Sequence, residues 1–155
     1  ELLTGGFWSV YYYQGAIYGT EIARGLDVLK LLPSEFLSSN EITAAALAYP
    51  AMGPPKLFNP QQQVPMVWPA TPEVALAYMD QLLRSDSIHQ KEATRLTKLL
   101  NKVAVESSNW TNNDLARKIS ETKIKVKNQQ VDERTQHCLI KLYETLKGIV
   151  QDLET

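Results

Sequence analysis

"FWSVYYYQGAIYGTEIARGLDVLKL", residues Phe7 to Leu31, is the stretch whose reading decides the fold. Phe7 to Tyr13 is dense in aromatic and β-branched residues, which suit a pleated, half-buried surface. Gln14-Gly15 follows as a turn signal, Ala16-Ile17-Tyr18 as a short second run, and "LDVLKL" from Leu26 to Leu31 alternates apolar with polar. Between the last two, "GTEIARG" has the glycine and polar content of a loop. Strand, hairpin, strand, loop, strand is the outline of one blade of a β-propeller. Such a sheet is marginal by itself unless something covers its apolar face.

Outward from this stretch the pattern changes. Pro33-Ser34-Glu35 suggests a helical turn, and "SSNEITAAALA" suggests a helix capped at Ser39 or Asn40. Tyr49 to Pro72 then holds seven of the chain's eight prolines, so regular structure is not expected there. Its Met52, Leu57, Phe58, Val64, Met66, Val67 and Trp68 are too apolar for a solvated linker, which predicts an extended strap packed on a surface.

From Thr71 onward the period is helical. "TPEV" offers a cap, Pro at the first helical position and Glu in the first turn, with Val74, Ala75, Tyr78 and Leu82 on one face. Ser87 with Gln90 has the spacing of a capping box before a stripe of Ile88, Leu96, Leu99, Leu100 and Val103. Thr111 with Asp114 starts a third helix carrying Leu115, Ile119 and Val126. Val131, Cys138, Leu142, Leu146, Ile149 and Leu153 mark a fourth. The fold class expected is mainly α with a small antiparallel β segment: the last part of a propeller blade over 1–32, a short helix and proline-rich strap over 33–70, and an antiparallel four-helix bundle over 71–155.

Composition narrows the function classes. The 155 residues carry a net charge of −1 with both signs interspersed, which argues against nucleic acid or an anionic membrane as partner. No apolar run approaches the roughly 20 residues of a transmembrane segment, and "ELLTGGFW" lacks the pattern of a signal peptide. Cys138 is the single cysteine, so no internal disulfide exists. His137 is its neighbour, but adjacent helical residues point about 100° apart, and Cys138 reads as a small apolar residue on a buried face.

Few residues point to chemistry. His89 and His137 have no metal-ligand spacing, "TGGFW" lacks the lysine and helix of a phosphate loop, and no G-x-S-x-G is present. No catalytic residue, metal or cofactor is therefore expected. Glu21, Arg24 and Asp27 cluster around the β-segment loop; they suit acid–base chemistry if their pKa values are driven apart, or a set of ties that fixes a tight turn. Trp8, Tyr11, Tyr12, Tyr13 and Tyr18 suit a stacking platform for a sugar, with Tyr11 and Tyr13 the best placed, or the faces of a buried sheet. "NWT" at Asn109 to Thr111 matches a glycosylation acceptor and equally a helix start.

"GGFWSVYYYQGAIYGTEIARGLDVLKLLPSEFLSSNEITAAALA", with "FNPQQQVPMVWPA" and "VALAYMDQLLRS", resembles the C-terminal end of bacterial LVIVD-repeat proteins. These are similar to exported β-propeller proteins whose last blade ends in a "GSEIARGLDV"-type motif, followed by a "VWPA" strap and a small helical region. The likeness covers about Gly5 to Ser85, with Gly19-Thr20-Glu21 where Gly-Ser-Glu is the pattern. It implies export to the periplasm or cell surface and a chain that is the C-terminal fragment of a longer protein, with upstream blades or another subunit as partner. It carries over no catalytic residue. Three functions follow as expectations. The first is a non-enzymatic interaction or structural module, meeting protein or glycan at the cell surface. The second is a contribution of charged loop residues to the channel of a propeller enzyme. The third is a carbohydrate surface made by the tyrosines.

Overall fold

The computed structural model describes residues 5–13, 15–23, 25–51, 64–105, 111–127 and 131–155. Three strands, β1 (Phe7–Tyr13), β2 (Ala16–Glu21) and β3 (Gly25–Lys30), form an antiparallel sheet in the order β1-β2-β3. Two-residue strands β4 (Tyr49–Pro50) and β5 (Met66–Val67) form a second, minimal sheet. The described residues also form five helices: α1 (Ser39–Leu47), α2 (Pro72–Arg84), α3 (Gln90–Ala104), α4 (Asn112–Ser120) and α5 (Glu133–Glu154).

This architecture corrects both parts of the expected fold class. A propeller blade has four strands, and the sheet has three, with β1 and β3 as open outer strands among the described residues. The antiparallel four-helix bundle expected over 71–155 does not form either: the described residues there hold α2 to α5, of unequal length with α4 only nine residues long, and the nine-residue α1 of the preceding segment packs on α2. Local chemistry explains the change. The Ser38 hydroxyl accepts from the Glu41 amide while Glu41 accepts from the Ser38 amide, a complete capping box that starts α1 one residue before the expected cap. The expected helical turn at Pro33 to Glu35 is instead a non-helical bend, in which the Ser34 and Leu37 backbones bond each other in both directions.

The third helix stops at Ser120 and does not reach Val126. The Thr122 hydroxyl donates back to the Lys118 carbonyl at 2.8 Å, and the chain then peels away. Val126 pairs with Ile88 as an isolated antiparallel bridge, and the Lys127 amide donates to the Ser87 carbonyl at 2.9 Å. Ser87 is thereby diverted from the expected box with Gln90. Its hydroxyl bonds those of Ser85 and Thr135, and α3 begins after His89 with no side-chain cap. Thr71 precedes α2 without capping it either, and its Oγ1 is buried with no hydrogen-bond partner among the described residues.

The core lies among the helices. Ala75, Met79 and Leu82 of α2, Leu96 and Leu100 of α3, Ile119 of α4, and Leu142, Leu146 and Ile149 of α5 form one buried cluster. A second, small cluster of Ala44, Val74 and Ala77 joins α1 to α2, so α2 is buried on two sides. The end of the strap lies against α2 and α5. A Cβ on Gly148 would stand 2.3 Å from the Ala70 Cβ, so α5 accepts this close approach only because position 148 carries no side chain. The strap is not wholly irregular. Tyr49 pairs with Val67 and Pro50 with Met66, and the Ala51 amide donates to the Pro65 carbonyl at 2.8 Å. Met52, Leu57 and Phe58 lie outside the described residues.

Candidate functional site

The sheet is where the sequence-selected residues gather. β2 runs to Glu21, three residues beyond the expected run, so Gly19, Thr20 and Glu21 are strand and not loop. The register places Tyr11 opposite Tyr18, Tyr18 opposite Val28, and Tyr13 opposite Ala16. Paired residues share a face. One face therefore carries Tyr11, Tyr13, Tyr18, Leu26 and Val28, and the other Phe7, Val10, Tyr12, Ile17 and Leu29. A break in register between Phe7 and Ser9 leaves Trp8 as the extra residue of a bulge.

Among the described residues no element covers the outer strands on either face. Trp8 is 77% exposed, Tyr11 65% and Tyr13 62%, and Phe7, Val10, Tyr12, Leu26, Val28 and Leu29 are exposed as well. The inner strand differs: Ala16, Ile17, Tyr18 and Thr20 are half-buried, and Gly19 and Glu21 are buried. Gly19 is buried beneath the Phe7 ring, whose nearest carbon would lie 2.5 Å from a Cβ there. Glu21 is buried beside it: Oε1 accepts from the Gly6 amide at 3.2 Å and Oε2 from the Ala23 amide at 2.9 Å. Its carboxylate thus ties the residue before β1 to the turn between β2 and β3. That turn closes on Gly25, whose φ of 102° favours glycine. Asp27 is half-buried on β3, opposite Gly19 and on the Glu21 face. Arg24 lies outside the described residues.

The helical part holds the other residues singled out by sequence. Cys138 is buried, and its thiol donates to the Gln81 Oε1 at 3.2 Å. Burial pushes that thiol upward, with the nearby Asp132 and Glu41 acting in the same direction against Arg134 and Arg84. His137 lines a small cleft with Trp68, Tyr78, Lys141 and Glu144, whereas His89 is the exposed residue before α3. Asn109 lies outside the described residues. Among the described residues no group of three or more His, Cys, Asp or Glu is placed to hold a metal ion, and no helix is long and apolar enough to cross a membrane.

One partly buried ion pair escaped the sequence reading. Glu41 of α1 meets Arg84 of α2 in a two-pronged contact at 2.6 and 2.7 Å. Burial alone would raise the Glu41 carboxyl, but hydrogen bonds from Arg84 and Ser38 outweigh it and hold the group below the usual carboxylate range. The S-x-x-E spacing at Ser38 to Glu41 was a visible signal for half of this arrangement. Its partner lies 43 residues away, and no local pattern announces it.

Comparison with protein-family models, with curated proteins and with solved structures gave no match to this chain.

Proposed function

We propose that this chain is a non-enzymatic interaction or structural module whose three-stranded sheet is completed by further β-strands, supplied by the rest of a longer protein or by another subunit. The observation that supports this reading is the pair of uncovered faces on one sheet with two open edges. A solvated sheet normally turns one polar face to water. Here both faces carry large apolar side chains, the composition of a sheet layered between other protein surfaces. Open edges add rows of unpaired amides and carbonyls that favour strand addition. The resemblance to the end of LVIVD-repeat proteins favours the same partner and an exported location.

Amide hydrogen exchange tests this on the isolated chain and on the protein purified from its native source. The β1–β3 amides are expected to exchange quickly in the isolated chain and to be protected by about 100-fold or more in the native material. Equal exchange in the two preparations would show that the sheet needs no further strands.

A second reading rests on Tyr11 and Tyr13, which project from the same face at alternate positions and are both largely exposed. They suit stacking against sugar rings. Folded Tyr11→Ala and Tyr13→Ala variants that retain a glycan as well as the parent chain would remove it.

A further inference from the structure

A second surface, remote in sequence from the sheet, has a chemistry of its own. Lys91, Arg95, Lys98 and Lys102 recur along α3 at i, i+4, i+7 and i+11, within an arc of roughly 60° on the helix circumference. Core residues Ala93, Leu96 and Leu100 occupy the other side of the same helix. Arg117 and Lys118 of α4 face this row across an open cleft of about 580 Å³. Six of the chain's sixteen cations thus line one cleft, against Glu121 as its one acid, in a protein of net charge −1. The remainder of the molecule is correspondingly acidic.

The acids among the described residues leave three members of this row without an ion pair. Glu121 is engaged with Arg117 at 3.2 Å, and Asp114 approaches the same guanidinium at 4.0 Å. Lys102 and Lys118 have other interactions of their own. Lys91, Arg95 and Lys98 make no ion pair among the described residues, and all three are exposed. Lys91, Arg95 and Lys98, like charges at helical spacing, destabilise an isolated helix by a few tenths of a kcal/mol per pair. A ligand of opposite charge removes that repulsion, which gives the row a favourable response to an anion before any other contact is made.

The lining identifies the kind of anion. The described lining of the cleft is six cations with Gln90, Thr94, Leu99 and Glu121, and none of these offers a ring for a nucleobase to stack on. Beyond Gln90 and Lys91 the α3 lining lies inside the helix, where backbone amides are consumed in the i→i−4 ladder. No cradle of amides is therefore offered to a single phosphate. What remains is a line of charged groups on flexible aliphatic stems above Leu99, extending about 16 Å along the helix axis. The geometry points to an acidic peptide segment as the ligand, one whose carboxylates recur at the helical spacing of the α3 cations and whose aliphatic side rests on Leu99 and the lysine stems.

The test uses the full 155-residue chain and a fluorescein-labelled, alanine-rich helical peptide with glutamates at i, i+4, i+7 and i+11, read by anisotropy. Binding is expected for this peptide and not for its glutamine counterpart, with affinity falling as salt is added. Arg95→Glu with Lys98→Glu should weaken it by about tenfold or more, while Lys123→Glu, outside the cleft, should not. The neutral pair Lys91→Gln with Lys98→Gln gives the same comparison if charge reversal disturbs folding. No binding at low salt, or equal binding by the cleft variants, would overturn the proposal. So would tighter, cleft-dependent binding of an oligouridylate of similar charge, which would make the cleft a nucleic-acid site.

Discussion

Val28 and Leu142 are both aliphatic residues inside a regular element, yet Leu142 is sealed from solvent while Val28 is 58% exposed. The contrast holds for the regions around them. Helices α2, α3, α4 and α5 share one apolar cluster, and each helix covers the stripe of another. The sheet has comparable apolar content, but its strands pack chiefly against one another; Gly15, near Ala46 of α1, marks where it approaches the helices. An apolar side chain stabilises a fold only when something removes it from water. Two regions of similar composition therefore contribute very unequally to the stability of this chain, and the difference locates the surface where a partner adds most.

Three substitutions sharpen or break this comparison. Leu142→Ala should cost the most, about 2 to 5 kcal/mol in urea unfolding, through lost burial and a residual cavity among α2, α4 and α5. A cost near that of a surface substitution would mean that the helical cluster is not the stabilising core.

Glu41→Ala should follow, at about 1 to 2 kcal/mol, because it removes the reciprocal cap of α1 and the carboxylate paired with the solvent-accessible Arg84. This effect depends on pH. The folded Glu41 carboxyl is held below its ordinary value. Its contribution is thus fully present above the ordinary carboxyl range and is lost as pH falls through the lowered folded value. The difference between parent and variant should shrink on acidification below about pH 4.5; a difference that grows there would reverse the assigned sign.

Val28→Ser should be the mildest, within about 0.5 kcal/mol in the isolated chain. A cost approaching that of Leu142→Ala would show that the sheet is already covered within these 155 residues.

How far the fold could be read in advance follows from how local each cause is. β1 was legible to its ends because Phe7 to Tyr13 is an aromatic and β-branched run interrupted only by Ser9. The end of β2 was not: Gly19-Thr20-Glu21 has loop composition, and only the Phe7 ring lying over Gly19 and the two amides bonding Glu21 make it strand. Pro72 marked the start of α2 correctly, since a missing amide costs nothing in a first turn. The Ser87 box failed because Thr135, 48 residues on, competes for the same hydroxyl. The tyrosine face was visible through simple alternation. The cationic row of α3 was missed for the opposite reason, because a net charge of −1 averages over the whole chain and hides a segregation that helical spacing reveals.

The bridge between Ile88 and Val126 has a dynamic consequence. It joins the chain just before α3 to the chain just after α4, reinforced by the Lys127 amide on Ser87 and the ion pair of Lys127 with Asp86. Helices α3 and α4 thus sit inside a loop whose two ends are clasped together, and neither can swing out through a free end. Because α3 packs on α2 and α4 packs on α5, the clasp couples the opening of one helix to that of the other.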